Sequence, residues 1–254
     1  MHVFIKPQPI KCLSFDLDDT LYDNRPIMRR AEQALLAYLH DKFTATEQWH
    51  ANEIMRVKAK LLQDHPGLAH DVSQLRKMAI AQGLINAGYS QGQAQKGAIE
   101  ALAYFLHYRS DFTLSRSMID LLEALKQKYA LIAITNGNVN AKGIGLDGLI
   151  EFSIAPGNGL RMKPFGDMFH LALNRLNIDA EHLMHIGDSS HSDVRGARQA
   201  GCQAAWLSPA FGDTNTQDGL NTTITTLENQ VLNKQSHLLP HIRISHIEEL
   251  NVLL

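Results

Sequence analysis

Three aspartates crowd the stretch Asp16-Leu17-Asp18-Asp19-Thr20, directly after the apolar run Cys12-Leu13-Ser14-Phe15. Carboxylates two residues apart at the end of a buried strand suit nucleophilic chemistry. One attacks an electrophile while the other handles the proton, and together they attract a divalent cation. Taken alone, the cluster also reads as a solvated acidic turn, because Asp is a common turn and cap residue. Three further elements follow: Thr135-Asn136-Gly137-Asn138, Lys163-Pro164, and Gly187-Asp188 with Asp193 downstream. Together they supply what a phosphate ester demands. Such an ester is shielded by its own negative charge, so a carboxylate attacks it only when cations and N–H donors neutralise its oxygens. A hydroxyl and backbone amides at a strand end, as at Thr135 and Asn136, bind an oxyanion. Lys163 adds a cation from a loop, since Pro164 disfavours helix at Lys163 and could open the next helix itself. Asp188 brings another carboxylate to the edge that carries Asp16 and Asp18, and Asp193 is expected to begin a helix. Each of these also has a plainer reading, as a Thr-Asn-Gly turn, a solvated lysine or a helix cap.

The elements that must position these groups follow from hydrophobic patterning. Apolar, β-prone runs recur at residues 11–15, 130–135, 152–155, 183–186 and 203–207. Helical patterns at 117–128, 165–176 and 193–200 separate several of them, and Gly201 is a helix stop. This alternation predicts an α/β fold whose parallel sheet is covered on both faces, with its ligand site at the carboxyl ends of the strands. Residues 22–112 lack β signals and carry helical patterns at 27–39, 53–62 and 99–108, with a break at Gly88-Tyr89-Ser90. That length far exceeds an ordinary crossover, so an all-helical insertion is expected. Residues 213–233 read as an irregular surface segment, 242–245 as a last strand and 246–254 as a closing helix.

Composition narrows the function classes. The chain has 254 residues, with 24 Lys+Arg against 26 Asp+Glu and a formal charge of −2. No basic run would track a phosphodiester backbone, so no nucleic-acid partner is expected. Cys12 and Cys202 lie in apolar runs and read as free thiols. No apolar stretch approaches the ~18 residues of a membrane span and no leader pattern opens the chain, so a soluble cytoplasmic protein is expected. Among the 13 histidines the one His-x-x-x-His spacing, His237 to His241, is interrupted by Pro240. Most histidines therefore read as surface or capping residues.

In their order and spacing the four elements resemble the four motifs of the haloacid dehalogenase superfamily, specifically its phosphatases. The resemblance implies a Rossmann-like core over residues 1–21 and 113–254 with a helical cap at 22–112. It also implies roles. Asp16 would form an aspartyl-phosphate, and Asp18 would protonate the leaving alcohol and later activate water. Magnesium would be held by Asp16, the Asp18 carbonyl and Asp188, with Asp193 supporting the site. Thr135, Asn136 and Lys163 would bind the transferring phosphoryl group. Dehalogenation is disfavoured, since members that cleave carbon–halogen bonds resemble the pattern without the Asp18 acid. An EF-hand reading of the cluster fails for want of the required Gly and terminal Glu.

Over nearly the whole chain, and notably at Phe15 through Pro26, Ile134 through Asn138 and Leu238-Leu239-Pro240-His241, the sequence resembles bacterial flavin mononucleotide phosphatases. This implies flavin mononucleotide, or the phosphorylated ribitylaminouracil precursor of riboflavin, as the small phosphorylated metabolite. Other nucleotide or sugar phosphates, a phosphomutase, and a phosphate-binding regulatory protein are the alternatives. In the cap, His70, Asp71 and Arg76 are expected to face the catalytic pocket, Arg76 suiting a second anionic or planar group. An ordinary solvated helix face is the alternative there. The chain is expected to be a monomer or homodimer.

Overall fold

A computed structural model describes residues 1–209 and 239–253. The expected irregular segment at 213–233, His237 and Leu238 lie outside the described residues, as does Leu254. Seven strands form one sheet: β1 (His2–Val3), β2 (Cys12–Phe15), β3 (Ala130–Ile134), β4 (Ser153–Ile154), β5 (Leu183–Gly187), β6 (Gln203–Leu207) and β7 (Ile242–Ile244). Their order is β1-β7-β6-β5-β2-β3-β4, and every pairing is parallel except β1 with β7. The fold is therefore α/β with a mostly parallel sheet. The antiparallel edge strand was not anticipated, because two residues cannot display an alternating pattern.

Every residue of β2, β5 and β6 is buried, which is why these strands read as mostly apolar runs, with Ser14, His185 and Gln203 as their polar members, rather than as alternation. One face of the sheet, with Cys12, Ile132 and Ile134, packs on Met168, Phe169 and Ala172 of α6 (Asp167–Leu176). Helix α5 (Arg116–Lys126) starts at the cap Ser115, whose hydroxyl accepts from Met118 N, and buries Met118, Leu121, Leu122 and Leu125 at helical spacing.

Contacts divide the chain into two compact units, one of residues 1–23, 113–137 and 145–254, the other of 24–112 and 138–144. The helical unit takes in residues 138–144 as well as the insertion. It contains α1 (Asn24–Lys42), α2 (Ala51–Asp64), α3 (Val72–Asn86) and α4 (Gln91–Arg109). Its core combines Leu35 and Leu39 with Ile80, Leu84, Ala94, Ala98 and Phe105, small residues on α4 allowing close approach. Helix α4 starts eight residues before the expected 99, at a capping box in which Ser90 Oγ accepts from Gln93 N and Gln93 Oε1 accepts from Ser90 N.

Three other expectations need correction. Pro164 does not open a helix, since α6 begins at Asp167. Asp193 does not begin one either: it lies inside a wide helical turn, Ser190–Arg195, whose N-cap is Ser189, and regular helix α7 spans only Gly196–Gln199. The closing helix is a tight 3₁₀ run, Ile247–Leu253.

Candidate active site

The parallel register decides where the acids fall. Strand β2 lies between β3 and β5, with Phe15 opposite Ala133 on one side and Ile186 on the other. Asp16 prolongs the ladder by donating its N–H to Ile186 O at 2.8 Å, and Thr135 N donates to Ile154 O at 3.1 Å. Asp16, Thr135 and Asp188 therefore leave three neighbouring strands at the same edge. Beyond Asp16 the chain turns sharply, with Leu21 N donating to Leu17 O and Asp19 at φ 57°, a left-handed conformation that Asp tolerates better than most side chains.

Lys163 is the hub of the site and is almost wholly buried. Its ammonium donates to Ile134 O at 2.5 Å and lies 2.7 Å from Asp193 Oδ1 and 3.0 Å from Asp16 Oδ1. A lysine read as a loop cation is thus an interior one. Asn136 explains its placement, because the side-chain amide donates to Lys163 O at 3.0 Å and accepts from Lys163 N at 2.8 Å. The amide of Asn136 is committed to that clamp, which leaves its backbone N–H as the group suited to an oxyanion. The Thr135 hydroxyl accepts from Gly137 N at 3.0 Å and keeps its own proton to donate.

Asp188 is oriented from two sides. Thr20 Oγ1 donates to its carboxylate at 3.2 Å and accepts from its N–H at 3.1 Å, while Trp206 Nε1 donates to its carbonyl at 2.7 Å. Asp18 accepts from Tyr22 Oη at 2.5 Å. Gly187 is required by packing: a Cβ there would sit 2.2 Å from Asp193 Cγ, so the missing side chain is the recess that the Asp193 carboxylate fills.

Sequence reasoning missed His185. It is fully buried on β5, with Nδ1 3.0 Å from Ser14 Oγ and Nε2 3.1 Å from Asp193 Oδ1. The signal was available: Ser14 and His185 are the polar residues inside two apolar strands, and the register sets them opposite one another.

Electrostatically the site is short of positive charge. Burial, reinforced by repulsion from Asp193 and Asp18, pushes the Asp16 carboxyl up to about 7, and Lys163 offsets this only in part. Burial and the Asp193 charge raise Asp188 to about 6. Asp193 goes the other way: burial opposes its charge, but Lys163 and His185 hold it well below the usual carboxylate range. Lys163 stays charged because Asp16 and Asp193 outweigh its desolvation. Burial and the Lys163 charge pull His185 down to about 4, so its imidazole is neutral near pH 7.

One carboxylate oxygen each from Asp16, Asp188 and Asp193 lie within 4.8 Å of one another. Asp16 Oδ1 is buried and, although ion-paired to Lys163, receives no donor in hydrogen-bond geometry. An orphaned anionic oxygen beside a second acid suits a hard divalent cation with oxygen ligands. Asp193 is dressed differently: Lys163 and His185 meet Oδ1, and Ser189 N donates to Oδ2 at 2.9 Å. It fits a supporting role better than direct ligation.

Of the three residues expected to face the pocket from the insertion, Asp71 and Arg76 have partners inside the helical unit. Asp71 caps α3 by accepting from Gln74 N at 2.8 Å. Arg76 is buried, 2.7 Å from Glu32 Oε1 and stacked 3.7 Å above the Phe105 ring, rather than on a solvated face. His70 is half-buried at the end of the 3₁₀ turn Pro66–His70.

The family profile of haloacid dehalogenase-like hydrolases matches residues 10–201. The chain is 35% identical over 246 residues to 5-amino-6-(5-phospho-D-ribitylamino)uracil phosphatase YigB of Escherichia coli K12, 96% of each chain being aligned. Among solved structures it resembles a 2-haloacid dehalogenase from Pseudomonas syringae pv. Tomato DC3000, with TM-score 0.81, 29% identity and coverage of 96% of this chain and 97% of that one. The HAD-hydrolase YfnB of Bacillus subtilis, bound to magnesium, matches at TM-score 0.62 and 19% identity over 97% of this chain and 99% of its own.

Proposed function

The chain belongs to the haloacid dehalogenase-like hydrolases and is a phosphoric monoester hydrolase, and on that premise we propose that it is a magnesium-dependent phosphatase acting through an aspartyl-phosphate on Asp16. The observation that carries this reading is the shared ammonium of Lys163, which leaves Asp16 Oδ1 buried without a hydrogen-bond donor. An oxygen so placed keeps its lone pairs for a cation or for phosphorus.

In the first step an Asp16 carboxylate oxygen attacks phosphorus, and the bond to the ester oxygen breaks as the Asp18 carboxylic acid gives the departing alcohol its proton. In the second, Asp18 takes a proton from water, the new oxygen bonds to phosphorus, and the acyl-phosphate bond opens to return Asp16 and release phosphate. Thr135 Oγ1, the backbone amide of Asn136 and Lys163 Nζ bind the phosphoryl oxygens. Asp16, the Asp18 carbonyl and Asp188 would hold magnesium, which when bound would neutralise charge at those oxygens. Lys163 keeps Asp16 aligned, and Tyr22 holds Asp18.

The substrate class we infer is the phosphorylated ribitylaminouracil precursor of riboflavin or flavin mononucleotide, supported by the identity to YigB along nearly the full chain. We infer that the helical insertion, residues 22–112, is the cap that selects the non-phosphate part, with His70, Asp71 and Arg76 as candidates. The resemblance to a 2-haloacid dehalogenase favours a second reading, carbon–halogen cleavage, but the Asp18 acid argues for phosphate. The test is phosphate release from ribitylaminouracil, flavin, nucleotide and sugar phosphates, with magnesium and after chelation. Magnesium-dependent release, fastest from the first two, is expected; release from none, or equal release after chelation, overturns the proposal.

A further inference from the structure

The alternation of side chains along a strand puts Ser14 and Asp16 on one face of β2, and His185 and Gly187 on one face of β5. Parallel pairing sets Ser14 opposite His185. These four positions form a line that ends at the reacting carboxylate, and three of them serve Asp193. Gly187 leaves the recess that the Asp193 carboxylate fills. His185 Nε2 reaches Oδ1 of that carboxylate at 3.1 Å, and Ser14 reaches His185 Nδ1 at 3.0 Å. Phe169 stands edge-to-face against the imidazole with centroids 5.1 Å apart, closing the remaining side.

We propose that His185 is a positioning residue of the phosphatase reaction, a buried hydrogen-bond donor that fixes Asp193 and through it the Lys163 ammonium beside Asp16. The assignment of its proton follows from its neighbours. Asp193 Oδ1 is an ionised acceptor already facing Lys163, so the ring nitrogen against it must carry hydrogen. Nδ1 is then bare and accepts from the Ser14 hydroxyl, which explains a polar residue inside an otherwise apolar strand. Lys163 Nζ, 3.3 Å from Nε2, finds no lone pair there and turns its protons to Ile134 O and Asp193, with Asp16 Oδ1 in ion-pair contact. The chain of bonds thus runs from Ser14 through His185 to Asp193 and ends at Lys163. Without the donor, Asp193 Oδ1 answers to Lys163 alone, and the ammonium can follow that carboxylate away from Asp16. Partners that orient the groups of an active site in this way typically carry about 10–100-fold in activity.

The assignment rests on the phosphatase reading for its kinetic consequence but not for its geometry, so two measurements separate them. The first compares His185→Leu with His185→Gln, using para-nitrophenyl phosphate and magnesium. Gln returns an N–H near the position of Nε2, whereas Leu fills the volume and donates nothing. The expected result is a kcat about 10–100-fold down in the Leu variant with KM changed by less than about threefold, and recovery of most of that loss in the Gln variant. Equal losses in both variants, or undiminished kcat in the Leu variant, overturn the proposal. The second needs no turnover and no variant that folds. Imidazole ¹⁵N resonances of the metal-free wild-type protein should show His185 protonated at Nε2 and bare at Nδ1, and a proton on Nδ1 instead overturns it. Wild-type protein that cleaves no ester would sink the phosphatase reading while leaving the second measurement to decide the role of His185.

Discussion

A single buried ammonium stands against Asp16 and Asp193, with Asp188 close by, and the chemistry of the site turns on that imbalance. Lys163 lies closer to Asp193 than to Asp16, so Asp193 holds its charge firmly while Asp16 is left dependent on a further cation. Replacing Lys163 with Met removes the positive partner of two buried acids and, on the proposed mechanism, a donor to the phosphoryl group. Turnover should fall on the order of 10²–10³-fold, and the fold should lose about 3–5 kcal/mol because uncompensated charge is left inside. Steady-state kinetics and chemical denaturation read the two effects separately. A Met variant with near wild-type kcat would show that the ammonium is structural only.

At the scale of elements, the sequence disclosed what the strands carry at their ends and concealed what they hold inside. Asp16, Thr135 and Asp188 each follow a mostly apolar run, so period and terminus were readable together. Lys163 had no such signature: its burial depends on the Asn136 clamp, formed between residues 27 positions apart. His185 was hidden for a related reason, since a polar residue inside a strand gains meaning only when the register supplies Ser14 as its partner. The position of Asp193 was legible as an acid after Gly187 but misassigned to a helix start, because the wide turn at Ser190–Arg195 has no sequence pattern of its own. In the helical unit, Arg76 ties α3 to α1 through Glu32 and to α4 through Phe105. Because Glu32 is partly exposed, Arg76→Ala should cost about 2–3 kcal/mol rather than the larger penalty of a fully buried pair. Thermal denaturation checks this. A KM raised for the preferred substrate without loss of stability would instead place Arg76 at the substrate.

For the whole molecule, the shifted groups predict how stability follows pH. Asp16 and Asp188 have raised values, about 7 and about 6, so the folded state holds protons that the unfolded chain has released, and these two lose stability as pH rises. His185 and His241 are both pulled down to about 4, chiefly by burial, so the folded state refuses protons that the unfolded chain takes, and they gain stability as pH rises. From about pH 4 to 7.5 the two pairs oppose each other and nearly cancel in the metal-free protein. Magnesium must displace the proton that Asp16 holds, so the rise in melting temperature it confers should be larger at about pH 7.5 than at about pH 6. Melting temperatures at the two values, with and without the cation, decide it. A magnesium-induced rise no larger at the higher value would contradict the assignment. No described helix is long and apolar enough to cross a membrane.

The central claim is that Asp16 is the atom bearer of the reaction, and it is tested most directly by acid-quenching a turnover mixture with a radiolabelled phosphate ester and mapping the label on the protein. The label should appear on the peptide containing Asp16, require magnesium, and be absent from Asp16→Asn. A wild-type enzyme that turns over rapidly yet never carries label there, or an Asp16→Asn enzyme that keeps its activity, would contradict the account.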